Sequence, residues 1–69
     1  MRTVTGLIKQ SFAANMSTEL STMQILEYVN REYTKERGRK PDHTWRALRI
    51  LARDKVITRT GAYKYQLNS

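Results

Sequence analysis

The most informative stretch of the chain is residues 44–57, which read TWRALRILARDKVI. On a helical wheel of about 100° per residue, this stretch separates into two sides. The side predicted to face the core carries Thr44, Trp45, Ala47, Leu48, Leu51 and Ala52. The opposite side carries His43, Arg46, Arg49, Ile50 and Arg53. The pattern predicts an amphipathic helix over about residues 42–54, with Asp42 as its N-cap.

The pattern changes after Lys55, where apolar residues begin to alternate with polar ones. Alternation of this kind is typical of strands that are buried on one face. Two strands are predicted, over about residues 56–59 and 63–67, and Gly61 lies in the turn between them. The second half of the chain is therefore predicted to be a helix followed by a β-hairpin.

The register of this hairpin depends on the length of its turn. A two-residue turn would place Ile57 opposite Lys64, an apolar residue against a charge. We therefore expect a three-residue turn, residues 60–62, with Gly61 in a left-handed conformation. The expected pairs are Ile57 with Tyr65 and Arg59 with Tyr63. The side chains then expected to point inward are Ile57, Tyr65 and Leu67.

The first half of the chain predicts two further helices and a short strand. The first helix covers about residues 3–14, capped by Thr3 or Thr5, and Asn15 is expected to follow it in a left-handed conformation. Residues 18–20 are extended in character. Ser21 and Gln24 then match the capping-box pattern and begin a second helix, over about residues 22–36.

The second helix is predicted to pack through Leu26, Val29 and Tyr33, with Met23 and Ile25 at the margins of its apolar stripe. On its outer side we expect an ion pair between residues 27 and 31, and exposed carboxylates at residues 32 and 36. Tyr28 is expected to be partly buried against the first helix.

The net charge lies entirely in the second half of the chain. Residues 1–36 hold four basic and four acidic residues, whereas residues 37–69 hold nine basic and two acidic residues and carry the full +7. A small domain with its positive charge on one helix and the adjoining hairpin is suited to a polyanion. The polyanion that we expect is the phosphate backbone of duplex DNA.

The composition excludes several classes of protein. The 69 residues suffice for a single domain, and the absence of cysteine excludes disulfides and thiol catalysis. With one histidine and no pair of acids placed for acid–base work, we expect no enzyme, no cofactor and no bound metal. No apolar run approaches the roughly 20 residues of a membrane span, so no membrane is expected as a partner. No small-molecule ligand is expected either.

The order of these elements resembles that of the winged helix-turn-helix superfamily, over nearly the whole chain. Residues 44–57 resemble a recognition helix, a Leu-x-x-Leu pattern and the isoleucine that opens the wing, and residues 63–67 resemble the end of the wing. Linker-histone globular domains share this order of elements and this residue pattern, but no motif indicates a subfamily. The resemblance implies an α+β, mostly helical fold: three helices, a strand between the first two, and a two-stranded wing.

The resemblance also implies that the third helix lies in the major groove of duplex DNA. Base contacts are then expected from the start and the exposed side of this helix: His43, Thr44, Arg46, Arg49 and Ile50. The arginines suit guanine, and the isoleucine suits a thymine methyl group. Backbone contacts are expected from the basic loop of residues 37–41, from the end of the helix and from the wing: Arg39, Lys40, Arg53, Arg59, Tyr63 and Lys64.

Several of these residues have simpler interpretations. The arginine face could be an ordinary solvated face, and His43 an ordinary surface residue. Ile50 could pack under the wing or against a partner domain. Trp45 is expected in the core rather than as a base-stacking platform. Arg59 and Tyr63 could form a cation–π pair that stiffens the wing.

Three functions follow from these alternatives. The first is sequence-specific duplex-DNA binding by a small transcriptional regulator or by the DNA-reading domain of a larger protein. The second is an architectural, nucleoid-type binder with little base preference. The third is a protein-interaction winged helix, for which Ile50 and Tyr28 are the contact candidates. For a DNA binder we expect a location inside the cell with the DNA, in a nucleoid or a nucleus, and possible homodimers.

Overall fold

The computed structural model describes residues 2–68. Its elements follow one another as α1 (Val4–Ala14), β1 (Glu19–Ser21), α2 (Thr22–Arg37), α3 (Thr44–Arg53), β2 (Ile57–Gly61) and β3 (Lys64–Leu67). Strand β3 lies between β1 and β2 in a three-stranded antiparallel sheet. The predicted α+β fold with a winged-helix layout is therefore confirmed. The short strand between α1 and α2 is one residue later than expected and joins the wing.

The ends of α1 follow from local hydrogen bonds. Thr3 caps its start, because the Gly6 amide donates to Thr3 Oγ1 at 3.1 Å. At the other end, Asn15 is not left-handed as expected (φ −91°), because its amide still donates back to Ser11 O at 3.1 Å. The reversal of the chain falls instead on Met16, with φ 52°. The helix therefore ends where the sequence predicts, but the left-handed residue follows one position later.

Helix α2 begins at the predicted residue and ends one residue later than predicted, at Arg37. Its capping box is complete, since the Gln24 amide donates to Ser21 Oγ at 3.2 Å and the Ser21 amide donates to Gln24 Oε1 at 2.9 Å. Gly38 ends the helix in a left-handed conformation, with φ 75°, and its amide donates to Thr34 O at 2.8 Å. This conformation favours glycine over any residue with a Cβ atom.

The buried face of α2 is rotated from the predicted one. The buried row is Thr22, Ile25, Val29 and Tyr33, which recur at helical spacing, whereas Leu26 is only half-buried. Ile25 was expected at the margin but is fully buried. Residues 25, 29 and 33 recur every four positions and share one face of the helix, on which residue 26 lies to the side.

The charges of α2 also differ from expectation. Arg31 binds its neighbour Glu32 at 3.4 Å and not Glu27. Glu32 and Glu36 are not free surface carboxylates, because both accept hydrogen bonds from Arg2, at 3.0 Å and 2.6 Å. The Arg2 hydrogen bond lowers the pKa of Glu32 to about 2, and it also lowers the pKa of Glu36. This cluster fastens the chain before α1 to the second half of α2.

Helix α3 begins at Thr44, and its cap is not the predicted one. The N-cap is His43, with no side-chain capping bond. The Asp42 carboxylate instead contacts His43 Nδ1 at 3.0 Å, an interaction that lowers the pKa of Asp42. At its other end, Lys55 is left-handed (φ 62°), and the next amide, that of Val56, donates to Leu51 O at 2.9 Å. This Schellman arrangement turns the chain directly into β2.

The hairpin has a different register from the predicted one. Ile57 lies opposite Leu67, and Arg59 lies opposite Tyr65. The turn is formed by residues 62 and 63 instead of 60–62, a bulge lies between Arg59 and Gly61, and Gly61 does not adopt a positive φ. The bulge adds one unpaired residue, Thr60, to β2. Ile57 therefore does not lie opposite Lys64, even though the turn is short.

The faces of the hairpin are nevertheless as predicted, because a shift of two residues keeps each side chain on its face. Ile57 is buried and Tyr65 and Leu67 are half-buried, while Lys64 and Gln66 are exposed. The apolar side of the wing closes a core built from all three helices, β1 and β2: Val4, Leu7, Ile8, Phe12, Leu20, Ile25, Val29, Tyr33, Ala47, Leu48, Leu51 and Ile57.

Candidate nucleic-acid interface

The exposed side of α3 carries three arginines. Arg46, Arg49 and Arg53 are all exposed, while the buried side of the helix consists of Thr44, Ala47, Leu48 and Leu51. Within residues 2–68, neither Arg46 nor Arg49 forms a salt bridge. Arg53 contacts Asp54 at 3.2 Å, but both side chains are more than half exposed, so this pair is weak. Three guanidinium groups thus lie on one side of a helix that is anchored in the core.

Trp45 belongs to this exposed side and not to the core. Its side chain is 58% exposed, which contradicts the sequence-based expectation. The expected core side spans about half of the wheel, whereas the buried row occupies a narrower arc centred on Ala47, Leu48 and Leu51. Trp45 lies at the edge of the wider arc, next to Arg49 one turn further on. A ten-residue helix with one buried row leaves such an edge residue in solvent.

The start of α3 contributes less to the surface than expected. Thr44 is 5% exposed, so its side chain is part of the interior and is not available to a base. Ile50 is half-buried in a shallow cleft beside the start of α1, which it shares with Thr3, Val4, Thr5, His43, Arg46 and Ala47. His43 itself is exposed. Of the residues predicted to contact bases, three are therefore exposed: His43, Arg46 and Arg49.

The loop before α3 presents two further basic residues. Arg39 and Lys40 are exposed, and neither forms a salt bridge with another residue of the described part of the chain. Lys40 lies beside Trp45, since both line a groove with Leu26 and Pro41. Arg37, the first residue of the predicted loop, belongs instead to α2, where its guanidinium lies 4.5 Å from the ring centre of Tyr33.

The wing carries the remaining predicted residues, Arg59, Tyr63 and Lys64, all of them exposed. The guanidinium of Arg59 donates to the carbonyls of Gly61 at 3.1 Å and Ala62 at 3.0 Å. It therefore braces the turn of the wing, and the expected cation–π pair with Tyr63 is not what holds it. The described residues form cation–π contacts on α2, where Arg31 lies over Tyr28 and Arg37 over Tyr33.

A groove of about 370 Å³ separates α3 from the wing. Its helix side is formed by Trp45, Arg49 and Ala52, and its wing side includes Arg59, Tyr63 and Tyr65. Of the aromatic rings of this groove, Tyr63 was predicted as a backbone contact, whereas Trp45 and Tyr65 were expected to pack inward and not to function. The sequence signal for Tyr63 is its place at the polar end of the hairpin, where no core residue is needed.

Comparison of the chain with models of known protein families, with curated proteins and with solved structures gives no significant match. Among residues 2–68, no helix has the length and apolar character needed to span a membrane.

Proposed function

We propose that this chain is a winged helix-turn-helix protein that binds duplex DNA in a sequence-specific manner. The observation that carries the proposal is the position of Arg46 and Arg49, exposed and without ion pairs among the described residues, on a helix whose opposite side is buried. A helix held in this way can enter the major groove, which is wide enough for it. The chain would act as a small transcriptional regulator or as the DNA-reading domain of a larger protein.

Base readout falls to Arg46 and Arg49. A guanidinium can donate to both O6 and N7 of a guanine, which makes Arg the side chain best suited to recognise this base. His43 lies at the start of the same helix, where an exposed imidazole can reach a base edge or a phosphate. Ile50 is half-buried and is left with a lesser role, at most a contact between its exposed part and a thymine methyl group.

The phosphate backbone would be bound on both sides of α3. Arg39 and Lys40 lie on the loop before the helix, Arg53 lies at its end, and Lys64 lies on the wing. Such contacts fix the position of the protein on the duplex but carry no sequence information. The carboxylates at residues 32 and 36 are bound by Arg2 and therefore add little repulsion of their own.

A second candidate function is architectural binding with little base preference. It is favoured by the wide spread of exposed basic residues over the loop, α3 and the wing, since these would contact phosphates of any sequence. The protein-interaction alternative has less support, because Ile50 and Tyr28 are both half-buried. A homodimer would allow the protein to read two half-sites of one DNA sequence.

Two variants distinguish base readers from backbone anchors. Arg49→Ala is expected to weaken binding to a selected site by about 1–3 kcal/mol and to relax base preference. Lys40→Ala is expected to weaken binding to all sequences and to lower the salt slope by about one unit. Arg31→Ala, which removes one exposed charge from α2, is the matched control and should leave both quantities unchanged.

The measurement is fluorescence anisotropy of labelled duplexes at several salt concentrations, after selection of a preferred site from random DNA. A ratio of affinities near one between the selected and a scrambled site would favour the architectural function. Failure to bind any duplex at low salt would refute DNA binding altogether. Identical behaviour of the Arg49 and Lys40 variants would contradict the assigned roles.

A further inference from the structure

Two large aromatic side chains are exposed on opposite sides of the groove between α3 and the wing. Trp45 is 58% exposed and Tyr63 is 71% exposed. Exposed rings of this size are informative, since a folded chain gains by burying them and a cluster of them marks a binding surface. Neither ring is needed by the core, which is complete without them.

The walls of the groove are held in place before any ligand arrives. The Thr22 amide, at the start of α2, donates to Tyr63 O at 2.7 Å. Thr60 Oγ1 donates to Glu19 Oε2 at 2.9 Å, and Arg59 braces the turn from within. The wing is thus tied to β1 and α2 on both sides of its turn, and Trp45 is carried by a helix anchored in the core.

The chemistry of the groove combines flat apolar surfaces with cations. Ala52 and Tyr65 contribute apolar surface, while the cationic residues Arg49 and Arg59 line the same groove. A ligand that matches this surface is planar, aromatic and attached to an anion. Nucleotides have this combination, because a base offers a stacking face and its phosphate pairs with arginine.

We propose that the groove between α3 and the wing binds an unpaired nucleobase, stacked on Trp45 and Tyr63. The bases inside a duplex have their faces covered by neighbours, so such a base must come from a strand end, a bulge or a junction next to the bound duplex. The proposal rests on the proposed function, since α3 would hold the adjoining duplex. It assigns to the chain a preference for duplexes that bear unpaired nucleotides over uninterrupted ones.

The experiment compares three DNA molecules that share one duplex sequence. The first is a duplex closed by loops of non-nucleotide linker at both ends, the second carries a three-nucleotide overhang, and the third carries an abasic overhang with the same phosphates. Binding is followed by anisotropy of a label on the DNA and by the emission of Trp45, the one tryptophan of the chain. The abasic overhang separates stacking from charge.

We expect the overhang with bases to bind at least about five-fold more tightly than the abasic overhang, the lower bound for stacking of one base. It should also change the emission of Trp45 more than the closed duplex and the abasic overhang do, since α3 brings Trp45 close to the duplex in all three complexes. Tyr63→Ala should remove most of this preference, and Tyr63→Phe, which keeps the ring, should retain it. Met23→Ala, which removes an exposed apolar side chain from α2, is the control and should have no effect.

Equal affinity for the two overhangs, with the same tryptophan emission in both complexes, would overturn the proposal even if the closed duplex binds well. Absence of binding to the closed duplex would instead refute the proposed function. In that case, emission changes with a single-stranded oligonucleotide would still support the groove as a base-binding site. A preference for bases that survives Tyr63→Ala and Trp45→Ala together would also overturn the proposal.

Discussion

At the scale of single residues, Thr44 shows how burial changes the role of a polar side chain. Its hydroxyl oxygen is buried and has no hydrogen-bond partner among the described residues. A buried polar atom without a partner costs about 1–3 kcal/mol relative to its solvated state. We therefore expect Thr44 to destabilise the start of α3 and, because it is buried, not to contact DNA.

We expect Thr44→Val to stabilise the protein by up to about 1 kcal/mol, because valine keeps the shape of threonine and removes the unpaired hydroxyl. Thermal or denaturant unfolding measures this change. The same variant should bind DNA as tightly as the wild type does, and this measurement tests whether Thr44 lies outside the DNA interface. Loss of stability together with loss of DNA affinity would show that the hydroxyl is used.

At the same scale, the sequence predicts the exposed cationic residues and an exposed Tyr63, but not the exposure of Trp45. Arg46, Arg49 and Arg53 are exposed as predicted, since charged side chains are seldom buried without partners. Trp45 could not be placed in this way, because a large apolar ring at the edge of a helical stripe can turn inward or outward. The neighbouring helix decides which of the two occurs, and its position is not a property of residues 44–53 alone.

At the scale of elements, Leu48 anchors α3 in the core, whereas Trp45 does not. Leu48 is 1% exposed and packs in the centre of the core, whereas most of the Trp45 side chain lies in solvent. Removal of a buried leucine side chain leaves a cavity, whereas removal of an exposed ring does not. The two residues are three positions apart on one helix, so they form a well-matched comparison.

Leu48→Ala is expected to lower the free energy of unfolding by about 2–5 kcal/mol, a large part of the stability of so small a domain. Trp45→Ala is expected to lower it by about 1 kcal/mol or less. Urea denaturation followed by circular dichroism gives both values. A loss of similar size in the two variants would mean that Trp45 is a core residue after all.

The hairpin illustrates what the sequence can and cannot predict for an element. The alternation of residues 63–67 predicts which side chains face inward, and this is confirmed. The predicted register is wrong because the turn lies at residues 62 and 63 and a β-bulge lies near Thr60, which together shift the pairing by two residues. The bulge coincides with the hydrogen bond from Thr60 to Glu19 on β1, a residue 41 positions away in the chain. A contact between residues so far apart is not encoded in the local pattern of the hairpin.

At the scale of the whole molecule, Arg2 links two parts of the chain that lie far apart in sequence. It binds Glu32 and Glu36, and its carbonyl oxygen accepts a hydrogen bond from Arg37 Nη2 at 3.0 Å. The acidic side of α2 is thereby neutralised within the fold. The positive charge of the loop, α3 and the wing remains available to a partner, so the molecule has one distinctly cationic surface.

This cluster predicts how stability depends on pH. The pKa of Glu32 in the folded protein is about 2, below its ordinary value of 4.5, so the interaction stabilises the fold fully above the ordinary value. The stabilisation is lost as the pH falls from the ordinary value through the folded one. Glu32→Gln should therefore lower the melting temperature near neutral pH, and the difference from wild type should shrink in acid.

Melting curves of wild type and Glu32→Gln at a series of pH values measure this difference. Glu27→Gln is the control, because Glu27 is exposed and forms no salt bridge with any residue between 2 and 68. Its effect on melting should be small at every pH. A difference for Glu32→Gln that persists unchanged in strong acid would contradict the assignment of the stabilising form to the carboxylate.

The order of the strands has a consequence for the behaviour of the protein in concentrated solution. Because β3 is central, β2 is an outer strand whose free backbone groups face away from the sheet. Free strand edges invite pairing between molecules, and lysine and arginine side chains on or near such an edge oppose it. Because of Arg59 on β2 and Lys64 on the neighbouring strand, the wings of two molecules are expected to repel each other. We therefore expect their positive charge to oppose aggregation of the protein.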